Sequence, residues 1–388
     1  MYRLIGIDNE GEVDYRTARG RNLSVYRALS AHAQIVGRFT PGMEGSPRYL
    51  NYAASFHPNP WIWKNAASLN PRTFRRRSEE ALRRLDSEYG KESFDVVLQI
   101  FGMFSVAGQG FPVALYLDNT MALTVRHYPQ WNPMHPHERR EWLALEREAY
   151  QRADVIFTMS EAVRRSVIHD YGCPEARVIT TGAGTNFTLE PQLKEDYGQR
   201  TALFVAYEFE RNGGPTLLEA WRRVRRTLPD ARLWIVGPRR TARPAGERER
   251  GVEWIGPVSD RERLRSLFRQ ATLFTLPSLF NPFPHVLREA MALGLPCVST
   301  RHAAIPEIVG DGVTGTLVPV GDAEALAHAL TELLADPALA RRYGAAGRRA
   351  VESGMSWEGV GERMSVHLER LAARSRAPQG APEVGRTS

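Results

Sequence analysis

Glu289 carries the clearest chemistry in the chain. It lies in the stretch Pro277–Thr300, PSLFNPFPHVLREAMALGLPCVST, flanked by Val286, Leu287, Ala290 and Met291. Pro284 suits the first position of a helix, Gly294 the residue just past its end, and Pro296 stops it from continuing. The spacing predicts about two and a half turns of helix with Glu289 in its middle among apolar neighbours. A carboxylate held there can accept two vicinal hydroxyls, one on each oxygen. The alternative is a structural or solvated helix glutamate.

Asp118 is the second candidate. It closes the run Val113–Asn119, VALYLDN, at the carboxyl end of an expected strand, where ligands of α/β sheets bind. There it could contact a reacting hydroxyl; the alternative is an Asp-Asn turn. His127 and Trp131 follow in a His-Tyr-Pro-Gln-Trp-Asn-Pro loop, and Gly184 sits in Gly182–Asn186, after another strand. All three are read as acceptor-side positions. Ser160 reads as a helix cap. His135 and His137 lack nearby carboxylates in a defined arrangement, and no Asp-x-Asp pair occurs at a strand end, so no metal site is expected. No strained nucleophile turn supports a Ser-His-Asp triad.

The elements that position these residues alternate between short apolar runs and helical patterns, which predicts parallel sheets covered by helices. The first half offers strands at 3–7, 34–39, 95–100, 113–117, 155–159 and 178–181. The second half offers them at 202–206, 232–236, 253–255, 273–276, 297–299 and 315–318. Helical patterns cover 73–89, 136–153, 161–171, 215–226, 261–270, 323–335, 337–351 and 356–374. The expected fold class is α/β, with two doubly wound Rossmann-like domains facing a cleft. Residues 1–186 form the first domain, 187–200 the linker and 201–355 the second. Helix 356–374 returns to the first domain, and 375–388 are read as a disordered tail. The aromatic segment 49–69, with Tyr49, Tyr52, Phe56, Trp61 and Trp63, reads as packing or as a loop over an acceptor.

A chain of 388 residues exceeds one ordinary core, which supports two domains. Two cysteines in unrelated segments make no disulfide framework, and a reducing, cytoplasmic setting is expected. No basic-then-apolar leader opens the sequence. The uncharged run 96–117 is broken by Gln99, Gly102, Gly108 and Pro112, and reads as two buried strands rather than a membrane span. The net charge of +7 lies largely in arginine clusters, read as solvated helix faces. Attraction to phosphate-bearing substrates or to the inner face of a membrane is the alternative; no nucleic-acid motif accompanies the charge.

The stretch 277–300 resembles the donor-site signature of retaining glycosyltransferases of family 4 and the GT-B fold. That signature has two glutamates eight positions apart with Pro-Phe-Gly between them. Glu289 matches the second glutamate, Asn281 stands for the first and Pro284 for the glycine. The resemblance continues through Ile305–Val309, Asp311–Gly315 and Val318–Asp322, and upstream through FVAYEFERNGGPTLLEA at 204–220 and ARLWIVGP at 231–238. It implies a nucleotide-sugar donor, a hydroxyl acceptor (sugar, lipid-linked sugar or small molecule), retention of configuration and no metal. On it, Glu289 grips the ribose, and Phe283, Gly256 and Pro277 are donor-side contacts.

The same resemblance places the family's diphosphate-binding arginine and lysine at Tyr207 and Asn212. Arg211, beside the second, is the substitute cation expected, with Arg301, Arg239 and Arg240 as the other candidates. The amides of His285 and Val286 offer an anion site, while Pro284 has no N–H to add. Asn281 keeps a hydrogen-bonding oxygen without the charge. These departures leave a second reading: a donor-site-impaired relative that binds a sugar nucleotide or a partner without turnover.

Overall fold

The computed structural model describes residues 1–9, 21–42, 45–132, 134–187, 189, 194–238 and 250–376, apart from the side chains at 21, 45, 47 and 61. The loop after the first strand, the Arg239-Arg240 pair and the tail from residue 377 lie outside the described residues.

The first domain contains β1 (Tyr2–Ile7), α1 (Arg21–Leu29), β2 (Ala33–Phe39), α2 (Gly45–Ala54), α3 (Pro60–Ser68), α4 (Pro71–Arg84), β3 (Val96–Ile100), β4 (Val113–Leu117), α5 (Met121–His127), α6 (Pro136–Arg152), β5 (Val155–Thr158), α7 (Glu161–His169) and β6 (Val178–Thr180). The second contains β7 (Thr201–Val205), α8 (Gly214–Thr227), β8 (Arg232–Val236), β9 (Val252–Gly256), α9 (Arg261–Gln270), β10 (Leu273–Leu276), α10 (His285–Ala292), β11 (Cys297–Thr300), α11 (Ile305–Ile308), β12 (Gly315–Val318), α12 (Ala323–Ala335) and α13 (Pro337–Gly354). Helix α14 (Trp357–Arg376) follows.

Both sheets are parallel, in the orders β2-β1-β3-β4-β5-β6 and β12-β11-β10-β7-β8-β9. Central strands such as β3 and β4 are buried along their whole length, which is why they read as continuous apolar runs. The expected strand segments are all present, each end within one residue.

Helices α1, α2, α3 and α5 were not expected. Segment 49–69 is not a covering loop: the Asn51 amide donates to the Ala67 carbonyl at 2.7 Å, and Trp63 Nε1 donates to the Tyr52 carbonyl at 2.7 Å, fastening α2 to α3. Helix α5 spans two turns, too short to stand on local propensity. Its first amides are satisfied by Thr120 Oγ1, Glu146 and the Tyr171 hydroxyl.

Helix α14 packs on α1, β1 and β3, so the chain's last described element completes its first domain. It runs to Arg376, two residues into the expected tail, because Arg376 pairs with Asp95. Burial alone would raise the Asp95 carboxyl; hydrogen bonds from Arg376 and Arg3 instead hold it well below the usual carboxylate range. The two crossings between domains touch. The Thr185 amide donates to the Met355 carbonyl at 2.9 Å, and Trp357 Nε1 donates to Asn186 Oδ1 at 3.0 Å. Among the described residues, no helix is long and apolar enough to cross a membrane.

Candidate active site

The carboxyl ends of β4 in one sheet and of β7, β8 and β10 in the other face each other. Between them lies a cavity of about 470 Å³. The second domain lines it with Tyr207, Glu208, Arg211, Asn212, Asn281, Phe283, His285, Val286 and Glu289, the first with Asp118 and Trp131. An adjoining cavity of about 240 Å³ lies in the first domain, lined by Asn9, Asn119, Thr124, Asn132, Glu146 and others. Asp118, Trp131 and Pro282 line both. The sequence-predicted carboxylates Asp118 and Glu289 thus reach one space from opposite domains.

Glu289 stands midway along α10. Burial pushes its carboxyl above the usual value, while Arg261, Arg288 and the Asn186 side chain pull it back. Pro284 does not open the helix: it is the cap residue, in extended conformation with ψ 93°, and His285 is the first helical residue. The helix ends as expected, with Gly294 at φ 75°.

Asn212 is not free to swing. Its Nδ2 donates to the Glu208 carbonyl at 2.8 Å, and its Oδ1 accepts from Ser278 Oγ at 3.1 Å and Asn281 Nδ2 at 3.3 Å. Asn281 is therefore anchored through Asn212. Arg211 is engaged as well. Glu208 accepts from its Nε at 2.9 Å and its Nη2 at 3.1 Å, the Phe280 carbonyl accepts from Nη1 at 2.7 Å, and its Cζ lies 4.2 Å from the Trp131 ring centroid. Tyr207 is 83% exposed at the rim.

The cation that sequence reasoning missed is Arg288, one turn into α10 and 1% exposed. Its Nη2 meets His285 Nδ1 at 2.6 Å, Nη1 donates to the Ala183 carbonyl of the first domain, and its Cζ lies 4.5 Å from the Phe283 ring centroid. Burial lowers its pKa to about 10. Only its apolar neighbours signalled it, as a charge at a core position of an amphipathic helix.

Two family models match. The one described as "Glycosyltransferase Family 4" covers residues 24–187, and the one described as "Glycosyl transferases group 1" covers residues 199–336. The chain belongs to glycosyltransferase family 4. It is 30% identical over 259 residues to an α-maltose-1-phosphate synthase of Mycolicibacterium smegmatis, a match covering 59% of this chain and 66% of that one. The match therefore spans slightly under two thirds of that relative. Its fold is shared with sucrose-phosphate synthase from Thermosynechococcus elongatus, at TM-score 0.69 and 21% identity over 96% of this chain and 100% of the other. It is shared too with Anabaena HepE in complex with UDP-glucose, at TM-score 0.62 and 15% identity over 95% and 100%. This is the GT-B fold.

Four predicted positions of this family 4 chain lie away from the larger cavity. Gly256 sits behind its wall, where its carbonyl accepts from the Gly237 amide at 2.9 Å. Pro277 backs Gly213: a Cβ on Gly213, at φ 79°, would lie 1.8 Å from the Pro277 oxygen, so only glycine lets α8 start there. Gly184 is not acceptor-facing, because it packs directly under Trp357 at the crossing. His127 stacks on Phe280 with centroids 5.9 Å apart and meets His302 edge-on at 4.6 Å, a contact between domains. The sequence reading also missed Glu146. It is buried at the smaller cavity, and burial raises its carboxyl to about 7 against hydrogen bonds from Tyr171 and Tyr150.

Proposed function

We propose that this protein transfers a sugar from a nucleoside diphosphate to a hydroxyl acceptor, with retention of configuration and without a metal ion. The observation that carries the reading is the convergence of Glu289 and Asp118, from opposite domains, on one cavity. Glu289 would accept the two ribose hydroxyls. The UDP-glucose bound to HepE, a protein of the same fold, supports a nucleotide sugar as donor.

The diphosphate would lie toward the start of α10, where the first-turn amides lack helical partners and the helix dipole is positive. The acceptor would enter from the smaller cavity past Asp118 and Trp131. Its hydroxyl attacks the anomeric carbon on the face from which the diphosphate departs, the carbon–oxygen bond to phosphate breaks, and a diphosphate oxygen takes the hydroxyl proton. No strong protein base is then needed, and Asp118 serves to orient the acceptor.

The binding-only reading is less well supported, since a second space lined by Asp118, Asn119 and Glu146 adjoins the cavity that holds Glu289. The test is release of nucleotide from UDP-, GDP-, ADP- and dTDP-sugars with added acceptors, with and without chelator. Tight binding with no release would reject transfer; a strict divalent requirement would reject the metal-free mechanism.

A further inference from the structure

Helix α2 is turned inside out. Among its described side chains the buried one is Asn51, whose Nδ2 donates to the Ala67 carbonyl of α3 at 2.7 Å and whose Oδ1 accepts from Asn70 Nδ2 at 3.1 Å. The outward side carries Tyr49, Leu50, Ala53 and Ala54, which helical spacing sets side by side. Tyr49 is 74% exposed and Leu50 70%, and Phe56, just past the helix, is 67% exposed. A helix on the surface of a folded domain ordinarily shows the opposite arrangement. The polar side is satisfied within the chain, so the apolar side is the one left to a partner.

Charge narrows that partner. From Gly45 to Ser78 the sequence holds Arg48, Lys64, Arg72, Arg75, Arg76 and Arg77 and no aspartate or glutamate. On α4, Arg72, Arg75 and Arg76 pair with Glu138, Glu141 and Glu79. Arg48 and Lys64 are exposed, and among the described residues neither has an ion-pair partner. A second copy seated on this face by a twofold axis would set one basic segment against the other. An anionic lipid surface answers both properties, with headgroups for the cations and an acyl layer for the apolar side chains.

We propose that α2 and Phe56 dock this protein on an anionic lipid bilayer, with Tyr49, Leu50 and Phe56 entering the boundary between headgroups and acyl chains while Arg48 and Lys64 meet the headgroups. The docking face is fastened near the smaller cavity, since Asn51 grips Ala67 and Leu69 lines that cavity. On the transfer reading, which this consequence alone rests on, the acceptor hydroxyl would be presented from the bilayer.

The test is co-sedimentation of the full chain, without sugar nucleotide, with vesicles of phosphatidylglycerol and phosphatidylcholine in equal parts or of phosphatidylcholine alone. Wild type should bind the anionic vesicles about 10-fold or more tightly than the neutral ones, and more weakly as salt is raised. Leu50→Ser and Phe56→Ser should each weaken binding by about 10-fold. Arg48→Gln combined with Lys64→Gln should do the same on anionic vesicles. These are surface positions, so the variants should keep the wild-type unfolding midpoint.

No binding of wild type to anionic vesicles overturns the proposal, as does full binding by the double variant Leu50→Ser, Phe56→Ser. Self-association lost in that double variant, without vesicle binding, assigns the face to a second copy and overturns it too. Each of these outcomes leaves the transfer reading standing, because nucleotide release is measured without lipid. Failure of transfer, in turn, leaves the vesicle result to be read by itself.

Discussion

Arg211 of the second domain lies with its guanidinium carbon 4.2 Å from the ring centroid of Trp131 in the first, while Glu208 accepts from it on both carboxylate oxygens. The contact forms part of the wall between the two cavities. It also means that the charge of Arg211 is already balanced where a diphosphate would need it. On the proposed function, the diphosphate would then depend on α10 and on what surrounds it.

Glu289→Ala should weaken nucleotide and nucleoside binding alike by about 100-fold, as expected for loss of two hydrogen bonds to a charged group. Glu289→Gln should lose less. Because burial raises the Glu289 carboxyl, wild-type affinity should decline on the acid side before an ordinary glutamate would titrate, and Glu289→Gln should flatten that decline. Calorimetry across pH reads both; unchanged binding in Glu289→Ala removes the ribose assignment.

Asp118→Asn should lower turnover by about 100-fold or more, by disturbing the orientation of the acceptor. Nucleotide affinity should stay within about twofold, because the donor contacts lie in the other domain. Steady-state kinetics beside calorimetry will show the split. Equal loss of both would place Asp118 in the donor site instead.

Tyr207→Arg and Asn212→Lys should part company. Tyr207 is 83% exposed on the cavity rim, so an arginine there should tighten diphosphate binding several-fold and leave nucleoside binding alone. Asn212 is 4% exposed and bonded to Glu208, Ser278 and Asn281. A lysine there buries an unpaired charge, so the unfolding midpoint should drop by several degrees. A stable Asn212→Lys protein with improved turnover would contradict this network.

The His127–His302 contact predicts an acid-sensitive domain interface. Burial, then His127, lowers His302 from 6.5 to about 4. The folded protein thus keeps His302 neutral where the unfolded chain would protonate it. Stability from this site is full above about pH 6.5 and falls as pH drops toward 4, where the loss levels off. Thermal unfolding across pH should show this fall, reduced in His302→Phe. An unaltered pH profile in that variant would dismiss the effect.

Glu307 of the second domain accepts from the amides of Glu161 at 2.7 Å and Ala162 at 2.9 Å, at the first turn of α7 in the first domain. An anion at a helix start is worth about 0.3–1 kcal/mol when exposed. Glu307→Ala should therefore shift the protein measurably toward an open cleft, seen as a larger radius of gyration in solution scattering. No change would show that the other contacts between the domains, at Phe280, Arg211 and Arg288, hold them without Glu307.

The sequence by itself determined the two parallel sheets, several helix caps and the position of Glu289 in α10. Each follows from local pattern: buried parallel strands read as unbroken apolar runs, and Ser160, Asp260, Asp322 and Asp336 cap helices from one position before them. It also brought Asp118 into view, because strand ends in such sheets face the cleft. The tertiary structure alone decided the rest of the site. Arg211 stacks on a tryptophan eighty residues away, Asn212 is held by a serine sixty-six residues away, and Arg288 reaches a carbonyl of the other domain. Whether a polar side chain is free, paired or buried depends on distances set by the packing of two domains. Local spacing carries no record of those distances.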